Sequence, residues 1–169
     1  MSLLEVKNLQ FSFRTYGGVV KAVRDVSFEV RPGEILGIVG ESGCGKSVLC
    51  KSIMKLLPPS AKIKEGSICV NGQDITCYRE REMQKLRGRV FAMIFQDPMT
   101  SLNPVFRIGE QVEEVIELHD GEGKSKEEIK ARTIELLEMV GIANSEGVYR
   151  MYPHELSGGM RQRVMIAMA

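Results

Sequence analysis

Gly40-Glu41-Ser42-Gly43-Cys44-Gly45-Lys46-Ser47 is the stretch on which the fold turns: spaced glycines, then a lysine and a hydroxyl residue. It fits GxxxxGK[ST]. On its N-terminal side, Glu34-Ile35-Leu36-Gly37-Ile38-Val39 is short, mostly apolar and rich in branched residues, which predicts a strand buried on both faces of a parallel sheet. On its C-terminal side, Val48, Leu49, Ser52, Ile53 and Leu56 recur at helical spacing, and Pro58-Pro59 ends the run, which predicts a helix over 46–57. Strand, glycine loop and helix follow one another in the order that an anion cradle needs.

Glycines let such a loop turn its backbone N–H groups inward, and the helix that follows aims its positive end at the same point. Gly40, Glu41, Ser42, Gly43, Cys44 and Gly45 would wrap a phosphate chain, Lys46 would reach its β- and γ-phosphates, and Ser47 would ligate Mg2+. Cys44 stands at a variable position of the pattern, so its role is packing or neutral. The bland alternative, a connecting turn with a solvated Lys46, does not account for the strand before and the helix after. Loops of this kind serve kinases, GTPases and motors alike, so the loop fixes a ligand and leaves the function open.

Upstream, Leu4 to Leu9 and Ala22 to Val30 alternate apolar and polar residues, as half-exposed strands of an antiparallel sheet do, with turns at Gly17-Gly18 and Pro32-Gly33. Downstream, Ser67 to Val70 runs into Asn71-Gly72, a hairpin signal, and 89–95 reads as another buried strand. From Ile108 the periodicity becomes helical, with Ile108, Val112, Val115, Ile116 and His119 on one face and Glu110, Glu113, Glu114 and Glu117 on the other. A second helix is announced by Ser125 with Glu128 three residues on, and its end by Gly141 after Val140. Roughly 98–152 is thus a helical insertion, and the charged run 122–132 is a solvated helix face. The net charge of +1 gives no general nucleic-acid footprint. No apolar run nears the ~20 residues of a spanning helix, so the expectation is a soluble, cytoplasmic chain. Cys44, Cys50, Cys69 and Cys77 lack metal-ligand spacing and are expected to be free thiols.

A second phosphate-binding helix terminus is written in Leu156-Ser157-Gly158-Gly159-Met160-Arg161-Gln162-Arg163, where a hydroxyl and two bare residues open a helix that runs to Ala169. Here the sequence resembles the ATP-binding cassette family, whose signature is LSGGQ followed by a basic residue and Gln-Arg-Val; Met160 stands where glutamine is usual. Met93-Ile94-Phe95-Gln96-Asp97-Pro98-Met99-Thr100-Ser101-Leu102-Asn103-Pro104 and Tyr152-Pro153-His154-Glu155-Leu156-Ser157-Gly158-Gly159 look like the oligopeptide and dipeptide importers, a group that includes some nickel importers.

The resemblance implies an α/β P-loop NTPase fold with an N-terminal antiparallel β subdomain, a parallel core sheet and a helical insertion. It divides the chain into a β subdomain with the phosphate-loop core (1–97), a helical subdomain (98–156) and a signature helix (157–169). It implies ATP with Mg2+ as cofactor, Lys46 and Gln96 as catalytic residues, and Ser47 and Gln96 at the metal. An aromatic before the first glycines would stack on adenine; Tyr16 is the candidate, with Phe13 as substitute. Ser157, Gly158 and Gly159 would contact the ATP held by a second cassette paired head to tail. The expected partners are that second subunit, two transmembrane permease subunits and, indirectly, an extracytoplasmic solute-binding protein, with no nucleic acid; the expected location is the inner face of the cell membrane. The competing functions are a non-transport cassette ATPase, disfavoured by the short helical insertion, and a non-catalytic cassette that pairs with an intact one. The family's Walker B aspartate, catalytic glutamate, D-loop and switch histidine have no counterpart up to Ala169. The expectation is therefore a truncated, marginally folded chain, inactive as an ATPase alone.

Overall fold

Alternation in 4–15 breaks at Asn8, and the break shapes the sheet. The computed structural model describes residues 2–58, 60–95 and 101–169, and divides into two compact units, Met1–Arg87 and Gly88–Ala169. In the first, β1 (Leu4–Thr15) pairs antiparallel with β2 (Gly18–Val30) and with β3 (Ala61–Val70), and β4 (Gln73–Asp74) closes the order β2-β1-β3-β4. Asn8 takes φ 46° at a register shift, held by its N–H donating to Ser27 Oγ (2.8 Å) and its Nδ2 to Asp25 Oδ1 (2.9 Å). Gly66 faces that bulge, where a Cβ would lie 2.4 Å from the Lys7 carbonyl oxygen, so only glycine lets the strands approach. Asn71 and Gly72 turn β3 into β4 with φ of 50° and 78°, the hairpin chemistry that their dipeptide announces.

Val6, Leu9 and Ile68 are buried on the sheet's apolar side, each contributing on the order of 1.5–3 kcal/mol of transfer free energy. The first unit is completed by α1 (Lys46–Ile53), which buries Leu49 and Ser52, and by α2 (Glu80–Leu86), which buries Met83. Arg87 ties the two helices together: Nε and Nη2 donate to Met54 O (3.1 and 3.0 Å) while Nη1 pairs with Glu80 at 2.5 Å.

The second unit is helical: α3 (Ile108–Asp120), α4 (Lys126–Met139), α5 (Ser145–Tyr149), a 3-10 turn at Pro153–Glu155 and α6 (Gly158–Met168). Ser125 and Glu128 form the capping box that starts α4 (2.7 and 3.3 Å), and Gly141 ends it with φ 78°. Ile108, Val112, Leu137 and Val164 are fully enclosed in the core that α3, α4 and α6 share. His119 is only half-buried, with its imidazole over Gly88, so it borders the core instead of filling it.

Two expected strands do not form. Glu34–Val39 makes no ladder, and Ile35 and Val39 are 96% and 95% exposed. Residues 89–95 likewise form no strand, and Val90, Ile94 and Phe95 are exposed. The composition reads as central-strand material, but a strand exists only against a neighbour that accepts its N–H groups, and among the described residues the two segments have none beyond an isolated bridge at Phe91. The sheet of the described residues is accordingly antiparallel throughout.

Candidate functional site

The loop before α1 is braced from within. Lys46 folds its ammonium back across the loop, donating to the carbonyl oxygens of Gly40 and Glu41, both at 2.7 Å, with Cys44 Sγ at 3.6 Å. An ammonium has three N–H bonds, so two brace the loop and, among the described residues, the third has only the long sulfur contact. Cys44 N–H closes a turn onto Glu41 O (3.3 Å), which gives this residue a packing part in the loop: a Cβ on Gly40 would sit 2.8 Å from its sulfur.

Gly45 is the N-cap of α1 with φ 101°, and a Cβ there would meet the backbone oxygen of Ala22 in β2 at 2.8 Å. Glycine is thus required twice at this position, by conformation and by contact. Its lack of a side chain also leaves α1 without a side-chain cap, and no acidic residue lies in the first turn. The N–H groups of Lys46, Ser47 and Val48 precede the first intrahelical bond, Leu49 N–H to Gly45 O (2.8 Å), so they point out of the helix with its positive end. Ser47 is exposed beside them. Residues 46–48 thus carry uncapped donors at the positive end of a dipole, an ammonium and a hydroxyl, a donor set of the kind a polyphosphate takes.

Tyr16 sits at the tip of the β1–β2 hairpin with its ring fully exposed, whereas Phe13 packs edge-on against Phe11 at 5.5 Å. Of the two aromatics, Tyr16 is the one with a free face. Gln96 lies outside the described residues. In the second unit Ser157 caps α6 by accepting from Met160 N–H (3.3 Å), and Ser157, Gly158 and Gly159 are all exposed. All four cysteines are free.

Sequence reasoning missed Gln111. This buried side chain donates to the carbonyls of Asn103 and Phe106 (both 3.0 Å) and accepts from Asn103 N–H (2.9 Å), stapling the 103–106 segment to α3. The signal available was a glutamine on the apolar side of the α3 pattern, beside Ile108 and Val112. Tyr149 was missed too: its hydroxyl donates to Glu113 Oε1 at 2.6 Å, and burial, reinforced by that carboxylate, pushes the phenol up to about 12.

Residues 23–169 match the family model described as ABC transporter. The chain belongs to this family. It is 55% identical over 168 residues to the oligopeptide transport ATP-binding protein OppD of Bacillus subtilis, covering 99% of this chain and 46% of that one. It is 50% identical over 167 residues to the dipeptide transport ATP-binding protein DppD of Lactococcus lactis, covering 99% and 48%. The chain thus spans about half the length of the curated relatives it matches. Among solved structures, the dimeric bacterial ABC transporter cassette MJ0796 superposes with a TM-score of 0.83 at 29% identity, covering 98% of this chain and 68% of that one. The same cassette in a dimeric post-hydrolysis state bound to ADP and Pi gives 0.81 at 28% identity, again covering 98% and 68%. Among the described residues, no helix of this cassette is long and apolar enough to cross a membrane.

Proposed function

We propose that this cassette sequence forms the phosphate-binding and signature portion of the ATP-driven motor of a peptide importer. The observation that carries the reading is the braced loop: Lys46 spanning the Gly40 and Glu41 carbonyls at the uncapped end of α1. Gly40, Glu41, Ser42, Gly43, Cys44 and Gly45 wrap the phosphates, the Lys46 ammonium turns its third N–H to the β- and γ-phosphates, and Ser47 offers its hydroxyl to Mg2+. Bound Mg2+ would neutralise the charge that develops between those phosphates. Gln96 is assigned to the metal and the attacking water, and Tyr16 to the adenine face. Ser157, Gly158 and Gly159 are assigned to the ATP of a second cassette paired head to tail, in keeping with the dimeric cassettes that this fold resembles. The partition 1–97, 98–156 and 157–169 remains the proposed functional division.

Peptides are the proposed cargo because the relatives at 50–55% identity are named for oligopeptide and dipeptide transport. Two permease subunits and a solute-binding protein complete the proposed assembly on the inner face of the membrane. The test is Lys46→Ala in the complete subunit, read by calorimetric titration with Mg-ATP. Losing charge-assisted bonds of ~1.5–3 kcal/mol each should weaken binding about 10- to 100-fold. Unchanged affinity sinks the reading.

A further inference from the structure

Arg163 stands on α6 six residues beyond Ser157, and its guanidinium leaves its own helix. Nη1 donates to the Val140 carbonyl oxygen at 2.8 Å and to that of Gly141 at 2.9 Å. These carbonyls lie at the end of α4, where Gly141 N–H bonds Glu138 O (2.8 Å) and Ile142 N–H bonds Leu137 O (3.1 Å). Such a termination satisfies the carbonyls inside the last turn and leaves the next two facing outward. The last turn of α4 contains no basic residue, so the cation at its negative end comes from α6. The approach is close: a Cβ on Gly141 would lie 2.4 Å from Arg163 Nη1. Arg161 supplies a second tie, its Nε donating to Pro153 O at 2.7 Å and fixing the first turn of α6 to the turn before Ser157. Arg87 uses the same device in the other unit, on the Met54 and Lys55 carbonyls beyond α1.

We infer that Arg163 is a positioning residue for the Ser157–Gly159 nucleotide contact: by clasping the end of α4 it sets the rotation and axial position of α6, and with them where Ser157 and the N–H groups after it point. It touches no nucleotide itself. The inference rests on the proposed contact of Ser157–Gly159 with the partner cassette's ATP. A rigid link of this kind matters most in pairing, where a misdirected helix terminus loses its phosphate contact while the subunit's own loop still binds.

The test uses the complete subunit with the cassette it pairs with, and reads the Mg-ATP concentration for half-maximal pairing, each variant held at a fixed interval below its own melting midpoint. Arg163→Ala should leave Mg-ATP affinity of the unpaired subunit within twofold while pairing needs about tenfold more nucleotide, the scale of one lost charge-assisted hydrogen bond. Adding Met139→Lys, at an exposed position in the last turn of α4, returns a cation to that end without rebuilding the link, so pairing should stay weak. Recovery of pairing in the double variant overturns the inference, as does wild-type pairing by Arg163→Ala. Ser157→Ala separates the two levels: if it and Arg163→Ala both pair normally, the partner contact fails; if only Ser157→Ala weakens pairing, Arg163 alone is misassigned.

Discussion

Gly43 and Gly45 share a loop and a positive φ, yet they should differ sharply when replaced by alanine. At Gly43, with φ 82°, a Cβ meets nothing within 4 Å among the described residues, so Gly43→Ala costs only the left-handed backbone penalty of about 1–2 kcal/mol. At Gly45, with φ 101°, the same penalty is joined by a Cβ 2.8 Å from the Ala22 oxygen, roughly half an ångström inside van der Waals contact. That oxygen belongs to the backbone of β2 at a bulge between the Val23 and Lys21 pairs with β1, so relief costs a further 1–3 kcal/mol or so. Gly45→Ala should therefore lose about 2–5 kcal/mol. At roughly 2–4 °C per kcal/mol for a domain of this size, its midpoint should fall about 4–20 °C, against about 2–8 °C for Gly43→Ala. The assay is ligand-free thermal unfolding, so that contact of the new methyl group with nucleotide does not enter. Equal midpoints, or a larger loss at Gly43, would refute the claim that Gly45 is selected by its contact with β2.

Among the described residues the buried Thr133 hydroxyl has no hydrogen-bond partner, so Thr133→Val should stabilise the helical unit by ~1 kcal/mol in chemical denaturation; a loss of stability would show that the hydroxyl is satisfied. Gln111→Leu strands two carbonyls and an N–H of the 103–106 segment and should cost about 2–4 kcal/mol in the same assay, with less than 0.5 counting against the staple. Tyr149 carries a phenol whose folded value, about 12, lies above its ordinary 10.0. The folded state therefore keeps a proton that the unfolded chain gives up: the stabilisation is complete below pH 10 and is lost as pH rises toward 12. Wild-type midpoints should fall more steeply than those of Tyr149→Phe between pH 10 and 12, and parallel curves would refute the shift.

What could be read from the residues was whatever local chemistry decides. Asn71-Gly72 turns because both residues accept positive φ; Ser125 and Glu128 start a helix because each satisfies the other's backbone; Gly141 stops it because the chain must enter the left-handed region there. The glycine loop and the helix after it were legible for the same reason, glycines, lysine and helix being contiguous in sequence. Glu34–Val39 failed because strand formation is decided by a neighbour, and alternation or apolarity reports only readiness to pair.

The same division explains which site features stayed hidden. Lys46 bracing the Gly40 and Glu41 carbonyls spans six residues, so the pattern that named the lysine came close to naming its partners. Gln111 reaching back eight residues, Tyr149 bonding Glu113 and Arg163 clasping the end of α4 join elements whose meeting depends on helix packing. Each is a polar side chain on a helix, and such a residue looks solvated until a backbone carbonyl or a carboxylate is brought to it. The cassette's motifs thus announce which groups are proposed to meet phosphate, while the contacts of Arg163, Gln111 and Tyr149 become visible only in three dimensions. A search for further positioning residues should start from long polar side chains one or two turns beyond a motif, where a helix can carry their effect back to the site.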